Sequence, residues 1–86
     1  MKAISNPESE AIRSRFFQAM QELRARKLGS IYEFAKKYDL DTSNIRKLKT
    51  AERQPIPGWY LAAIVKDYGI SAEWLLLGKG DPFTQH

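Results

Sequence analysis

From Thr42 to Lys49 the chain reads Thr-Ser-Asn-Ile-Arg-Lys-Leu-Lys: two hydroxyls, an amide and three cations, interrupted by two aliphatic residues. On a helix, Ile45 and Leu48, three apart, share one side and leave Thr42, Ser43, Arg46, Lys47 and Lys49 facing outward. Such a face can donate hydrogen bonds to base edges and neutralise phosphates, the chemistry that recognises a nucleic acid duplex. Thr42, Ser43, Arg46 and Lys47 are the candidates for base edges, with a guanine the natural partner of an Arg or Lys. Asn44 and Lys49 suit phosphates better, and Ser30, Tyr32 and Arg53 are further backbone candidates. Plainer roles compete at each position: Thr42 and Ser43 are also helix-capping types, and Arg46 and Lys47 would serve equally as solvated surface.

Bond-making chemistry is not indicated. There is no cysteine, and the single histidine, His86, is the last residue, so neither a thiolate nor a histidine-based metal or nucleophilic site can be built. Asp39 and Asp41 are explained by turn and cap roles. Gly78-Lys79-Gly80 is too short for a phosphate loop and follows a helical pattern instead of preceding one. An enzyme is therefore the class the sequence fits least. It implies no cofactor and no metal, and it marks no small-molecule site.

The elements that must hold the Thr42–Lys49 face can be read from caps and periodicity. Ser30 and Glu33 form an S-x-x-E capping box that starts a short helix with Phe34 and Tyr38 one turn apart on its buried side. Asp39 falls where the following turn wants a left-handed residue, and Asp41 or Thr42 can cap the next helix. Upstream, Asn6-Pro7 caps and opens a first helix expected to run to about Lys27, before Gly29. Its buried face is Ile12, Phe16, Met20 and Leu23 with Phe17 beside it. Downstream, Pro55 and Pro57 enforce a loop across residues 52–58. Pro57 is expected to open a fourth helix that turns Leu61, Ile64, Val65 and Tyr68 inward and stops at Gly69. Ser71 caps a fifth, whose Trp74, Leu75 and Leu77 are expected to close the core before Gly78. Trp59 and Tyr60 are read as packing residues rather than base-stacking platforms.

The segment from Ser30 to Lys49 resembles the helix-turn-helix of the Cro and phage-repressor (XRE-type) family. Counting from Ile31, its apolar positions are filled by Phe34, Tyr38, Leu40, Ile45 and Leu48, and Ala35 stands where the two helices touch. Two positions depart: the family's turn glycine is Asp39, which tolerates the same backbone conformation, and its frequent first-position Gln is Ile31, which removes one expected phosphate contact. The stretch from Tyr68, with Trp-Leu-Leu-Leu-Gly-Lys-Gly at residues 74–80, resembles the closing helix of the same domains, so the likeness covers roughly residues 12 to 80. The resemblance implies a compact all-α, five-helix, lambda-repressor-like bundle whose third helix enters the major groove of double-stranded DNA. It also implies a homodimer, weak or DNA-induced, acting as a phage or mobile-element type repressor by operator occupancy.

Length and charge are consistent with that expectation. Eighty-six residues make one domain, read as a leader over 1–6, a helical body over 7–80 and a tail over 81–86. Residues 24–53 hold nine basic and four acidic side chains, whereas the rest of the chain holds five and six. The whole net charge of +4 therefore gathers around the candidate face, as binding by counterion release requires. No apolar run, Trp74–Leu77 included, approaches the roughly 20 residues needed to cross a bilayer, and a reducing cytoplasm is the expected setting. A protein-interaction module of antitoxin type on the same fold is the alternative reading, with DNA binding secondary or lost.

Overall fold

The computed structural model describes residues 7–50 and 54–83. It is all-helical, with five helices: α1 Pro7–Ala25, α2 Ile31–Lys37, α3 Thr42–Lys47, α4 Gly58–Tyr68 and α5 Ala72–Leu77. Asn6, Glu52 and Arg53 and the tail from residue 84 lie outside the described residues, so the roles expected of Asn6, Arg53 and His86 fall outside it too. Among the described residues no helix is long and apolar enough to cross a membrane.

The core follows the aromatic side chains of three helices. Phe16 of α1, Phe34 of α2 and Tyr60 of α4 form a triangle with ring centroids 5.4 to 6.1 Å apart, two of the three contacts edge-on or nearly so. Leu23, Ile45, Ile64, Ile70 and Leu75 are fully enclosed around it. Ile12, expected in this core, is only partly buried and sits at its edge against Pro55, Ile56 and Leu61. The position one residue on, Arg13, is the one that goes under: its guanidinium donates to the Gln54 carbonyl at 3.3 Å, and Glu10 stands 4.0 Å away.

Each helix stops for a local reason. α1 ends two residues before the expected Lys27, because Lys27 itself takes the left-handed conformation, φ 60°. Leu28 N–H then reaches back to the Leu23 carbonyl (2.9 Å) and Lys27 N–H to that of Arg24 (3.0 Å), a Schellman closure. Asp39, φ 56°, ends α2 in the same way as expected, with Leu40 N–H donating to Ala35. Gly29 is not the α1 terminator. A side chain there would place its Cβ 2.7 Å from the Tyr68 ring, so glycine is needed for the close approach of α4 to the α1–α2 connection. Pro57 is the N-cap of α4 rather than its first residue, and Ser71 caps α5 through a bond from Trp74 N–H at 3.2 Å.

The far end of the molecule closes differently from expectation. Trp74 and Leu75 are buried, but Leu77 is 64% exposed and Leu76 46%, because a six-residue helix can turn only one narrow side inward. Arg15 of α1 caps this end by donating to the carbonyls of Leu75 (2.8 Å) and Leu76 (3.2 Å), two of the groups that a helix C-terminus leaves unpaired. The first residues of the expected tail fold back: Ser71 N–H donates to the Pro82 carbonyl at 2.8 Å, Phe83 bridges to Ile70, and the Arg26 guanidinium lies 3.9 Å from the Phe83 ring centre.

Candidate nucleic-acid interface

α2 and α3 pack directly on each other, joined by the four residues 38–41. Both starts are capped by side chains. Ser30 Oγ accepts from Glu33 N–H at 3.1 Å, and Asp41 Oδ1 accepts from both the backbone N–H and the hydroxyl of Ser43 at 2.9 Å. These Ser43 bonds, hydroxyl first, hold the Asp41 carboxyl below its ordinary range. Of the two cap residues the sequence allows for α3, Asp41 is the one used. Thr42 is thereby released from capping, while the Ser43 hydroxyl donates its hydrogen bond to Asp41 and offers a partner only its lone pairs.

Ile45 is completely buried and Leu48 packs against the core, which fixes the rotation of α3 about its axis. Ser43, Arg46, Lys47 and Lys49 are then exposed, as the spacing predicts, and Asn44 is exposed beside them, whereas Thr42, expected to face outward, is half-buried. Arg46, Lys47 and Lys49 form no ion pair among the described residues, whereas Lys37 at the end of α2 is bound to Asp67 at 3.1 Å. The Tyr38 hydroxyl donates to the same carboxylate, so Asp67 clamps the end of α2 to α4. Tyr38 first and Lys37 after it push the Asp67 carboxyl down, and the bond to Asp67 pushes the Tyr38 phenol up. Lys37 thus serves the fold, although its charge alone would place it in a basic footprint.

The phosphate candidates separate in space. Ser30, Tyr32 and Lys49 line one open groove between α1 and the α2–α3 pair, and Arg46, a base-edge candidate, lines it with them. Asn44 lies elsewhere on α3 and Arg53 outside the described residues. The opposite wall is α1, which contributes Arg24 and the amides of Gln18 and Gln21. Arg24 is not among the contact candidates named from the sequence, where it enters only in the basic excess of residues 24–53. The signal for more was the polar spacing Gln18, Gln21, Arg24, three apart on the side of α1 next to Phe17 and Met20. Tyr60 is buried as a packing residue, and Trp59 stays 48% exposed with its ring edge-on to Tyr38 and Tyr60, at centroid distances of 5.4 and 4.8 Å. Comparison with family models, with characterised proteins and with solved structures gives no match to this chain.

Proposed function

We propose that the protein binds double-stranded DNA sequence-specifically and regulates transcription by occupying an operator, in the manner that its resemblance to phage-repressor helix-turn-helix domains implies. The observation that carries this reading is the state of α3. Ile45 and Leu48 hold it against the core, and its outward side presents Ser43, Arg46 and Lys47, with no ion pair among the described residues to satisfy either cation. Three cations within four residues, Arg46, Lys47 and Lys49, repel one another and favour an anionic partner, with Asp41 the acidic group that feels Lys47 among the described residues. In the proposed complex α3 lies in the major groove, its outer residues reach base edges, and the start of α2 meets phosphates.

Two copies would read two half-sites about 34 Å apart, joined through Leu76 and Leu77, which the fold leaves uncovered at the C-terminal end of α5. Selection of bound fragments from random duplex DNA, followed by fluorescence anisotropy on the winning sequence, tests the function. The expected result is a defined motif whose affinity falls steeply with salt, with a slope corresponding to roughly 4 to 8 phosphates per dimer. Absence of any enriched motif together with a flat salt response would refute the proposal.

A further inference from the structure

We infer that the groove between α1 and the α2–α3 pair seats the sugar-phosphate backbone of one DNA strand, with Arg24, Arg46 and Lys49 as its cationic ligands, so that Arg46 holds a phosphate instead of reading a base. This rests on the proposal that α3 enters the major groove.

Shape and charge agree on the occupant. The groove is open along its length and encloses about 1100 Å3, beyond the range of about 300–1,000 Å3 typical of pockets that bury a small ligand. Among the described residues no buried side-chain nitrogen or oxygen lacks a hydrogen-bond partner, so no inward polar group awaits an enclosed molecule. The cations stand on opposing walls instead, Arg24 on α1 and, across from it, Arg46 on α3 with Lys49 in the turn just after it. Glu10, the acidic residue of the lining, already faces Arg13, which leaves those three without an acidic partner among the described residues.

The groove lining supplies the assignment of Arg46. Arg46 and Lys47 lie at similar angles on either side of the outermost line of α3, near Ser43, but Arg46 is on the flank that lines the groove toward α1, together with Lys49 in the turn after α3. Lys47 and Ser43 do not line the groove. A helix about 10–12 Å across fills a major groove about 12 Å wide, so the strand backbones run along its flanks and base edges meet only its outermost line. The flank toward α1 therefore meets phosphates. Ser30 and Tyr32 at the same groove add neutral donors to that backbone.

The experiment uses the full chain and its selected duplex, with Arg24→Ala, Arg46→Ala and Lys47→Ala assayed by anisotropy across a salt series and a set of single-base variants. All three residues are exposed, and circular dichroism establishes that each variant keeps its helices. Arg24→Ala and Arg46→Ala are each expected to lower the log-log salt slope by about 0.9 and to weaken every duplex by the same factor. Lys47→Ala is expected to change the ranking of the base variants. A single neutral methylphosphonate should weaken the wild type several-fold and leave Arg24→Ala almost unaffected. The inference is overturned if Arg24→Ala keeps the wild-type slope, or if Arg46→Ala reorders the base variants. Both results would leave the function standing, whereas a wild-type protein that binds no duplex would remove both.

Discussion

Replacing Gly29 by Ala tests the junction that seats α2, and its outcome should reverse sign with the residue at position 68. Gly29 is buried, and its φ is not in the left-handed region, so an added methyl meets no backbone strain. On its own such a change stabilises by about 0.4–1 kcal/mol, because alanine has less freedom to lose on folding. Here the new Cβ would stand 2.7, 3.1 and 3.4 Å from three atoms of the Tyr68 ring, where carbon pairs prefer about 3.5–4.0 Å. Forcing a methyl into a packed contact costs about 1–3 kcal/mol, so Gly29→Ala is expected to destabilise by roughly 0.5–2 kcal/mol net. For a domain of this size each kcal/mol moves Tm by about 4–8 °C. In a Tyr68→Ala background the obstacle is gone and the same substitution should stabilise by about 0.4–1 kcal/mol. Urea unfolding of the four proteins, followed by circular dichroism, gives the coupling directly. Equal shifts in both backgrounds, in size and sign, would refute the proposed contact as the reason for glycine at this position.

Four further outcomes follow from the packing and the charges. Asp67 has a lowered pKa in the folded protein, so its contribution to stability is present above the ordinary carboxylate value and is lost as pH falls below about 4. Tyr38 has a raised one, so its contribution is complete below about pH 10 and is lost above it; Asp67→Asn should reduce both limbs of a Tm-against-pH curve, leaving on the acid side the share of Asp41, held down by Ser43, and on the alkaline side that of Tyr68, whose phenol burial also pushes up. Ile45→Ala should cost about 2–5 kcal/mol and Ile45→Val about 0.5–1.5 kcal/mol in denaturant titration, since Ile45 is fully enclosed. Lys49→Ala should weaken all duplexes alike and lower the salt slope by about 1, whereas Lys47→Ala should cost about 1–3 kcal/mol on the preferred site and flatten preference at particular base pairs, both read by competition binding. Leu76→Asp with Leu77→Asp should leave Tm nearly unchanged, because both leucines are exposed, yet abolish self-association in sedimentation on a palindromic site; an unchanged dimer would dismiss this end of α5 as the contact.

Elements governed by nearest neighbours were legible in the sequence. The Ser30, Asp41 and Ser71 caps, the left-handed Asp39 and the stops at Gly69 and Gly78 all stand as the residue types demand, because each depends on bonds spanning at most five residues. What spacing could not settle was competition between alternatives of similar cost. Lys27 and Gly29 both suit a helix end, and the tie is broken by Tyr68, some forty positions away, which claims the glycine for space. Leu77 and Leu76 look as apolar as Leu75, and only the narrow side that the six-residue α5 turns inward decides which one is covered. Arg13 goes under where Ile12 was expected, since the loop carbonyl of Gln54 offers the guanidinium a partner that periodicity does not reveal.

The candidate interface divides along the same line. The outward set on α3 was readable because Ile45 and Leu48 alone fix the rotation of that helix. Its neighbours were not: Arg24 joins Arg46 and Lys49 through the packing of α1 beside α2 and α3, and Lys37 leaves the basic set because Asp67, thirty residues on, binds it. Six residues span only about 9 Å, and a helix so short has no standing of its own in water. α3 is therefore a product of the tertiary core as much as of its sequence. Its Asp41 cap and buried Ile45 hold the outward side chains in one register, and any substitution that loosens Ile45 removes that register before it removes a single charge. A contact residue such as Lys47 acts the other way, leaving the helix intact and altering only what it touches. Stability and DNA affinity should fall together for changes at Ile45 and separate for changes at Lys47, a distinction set by which side of a six-residue helix the substituted position faces.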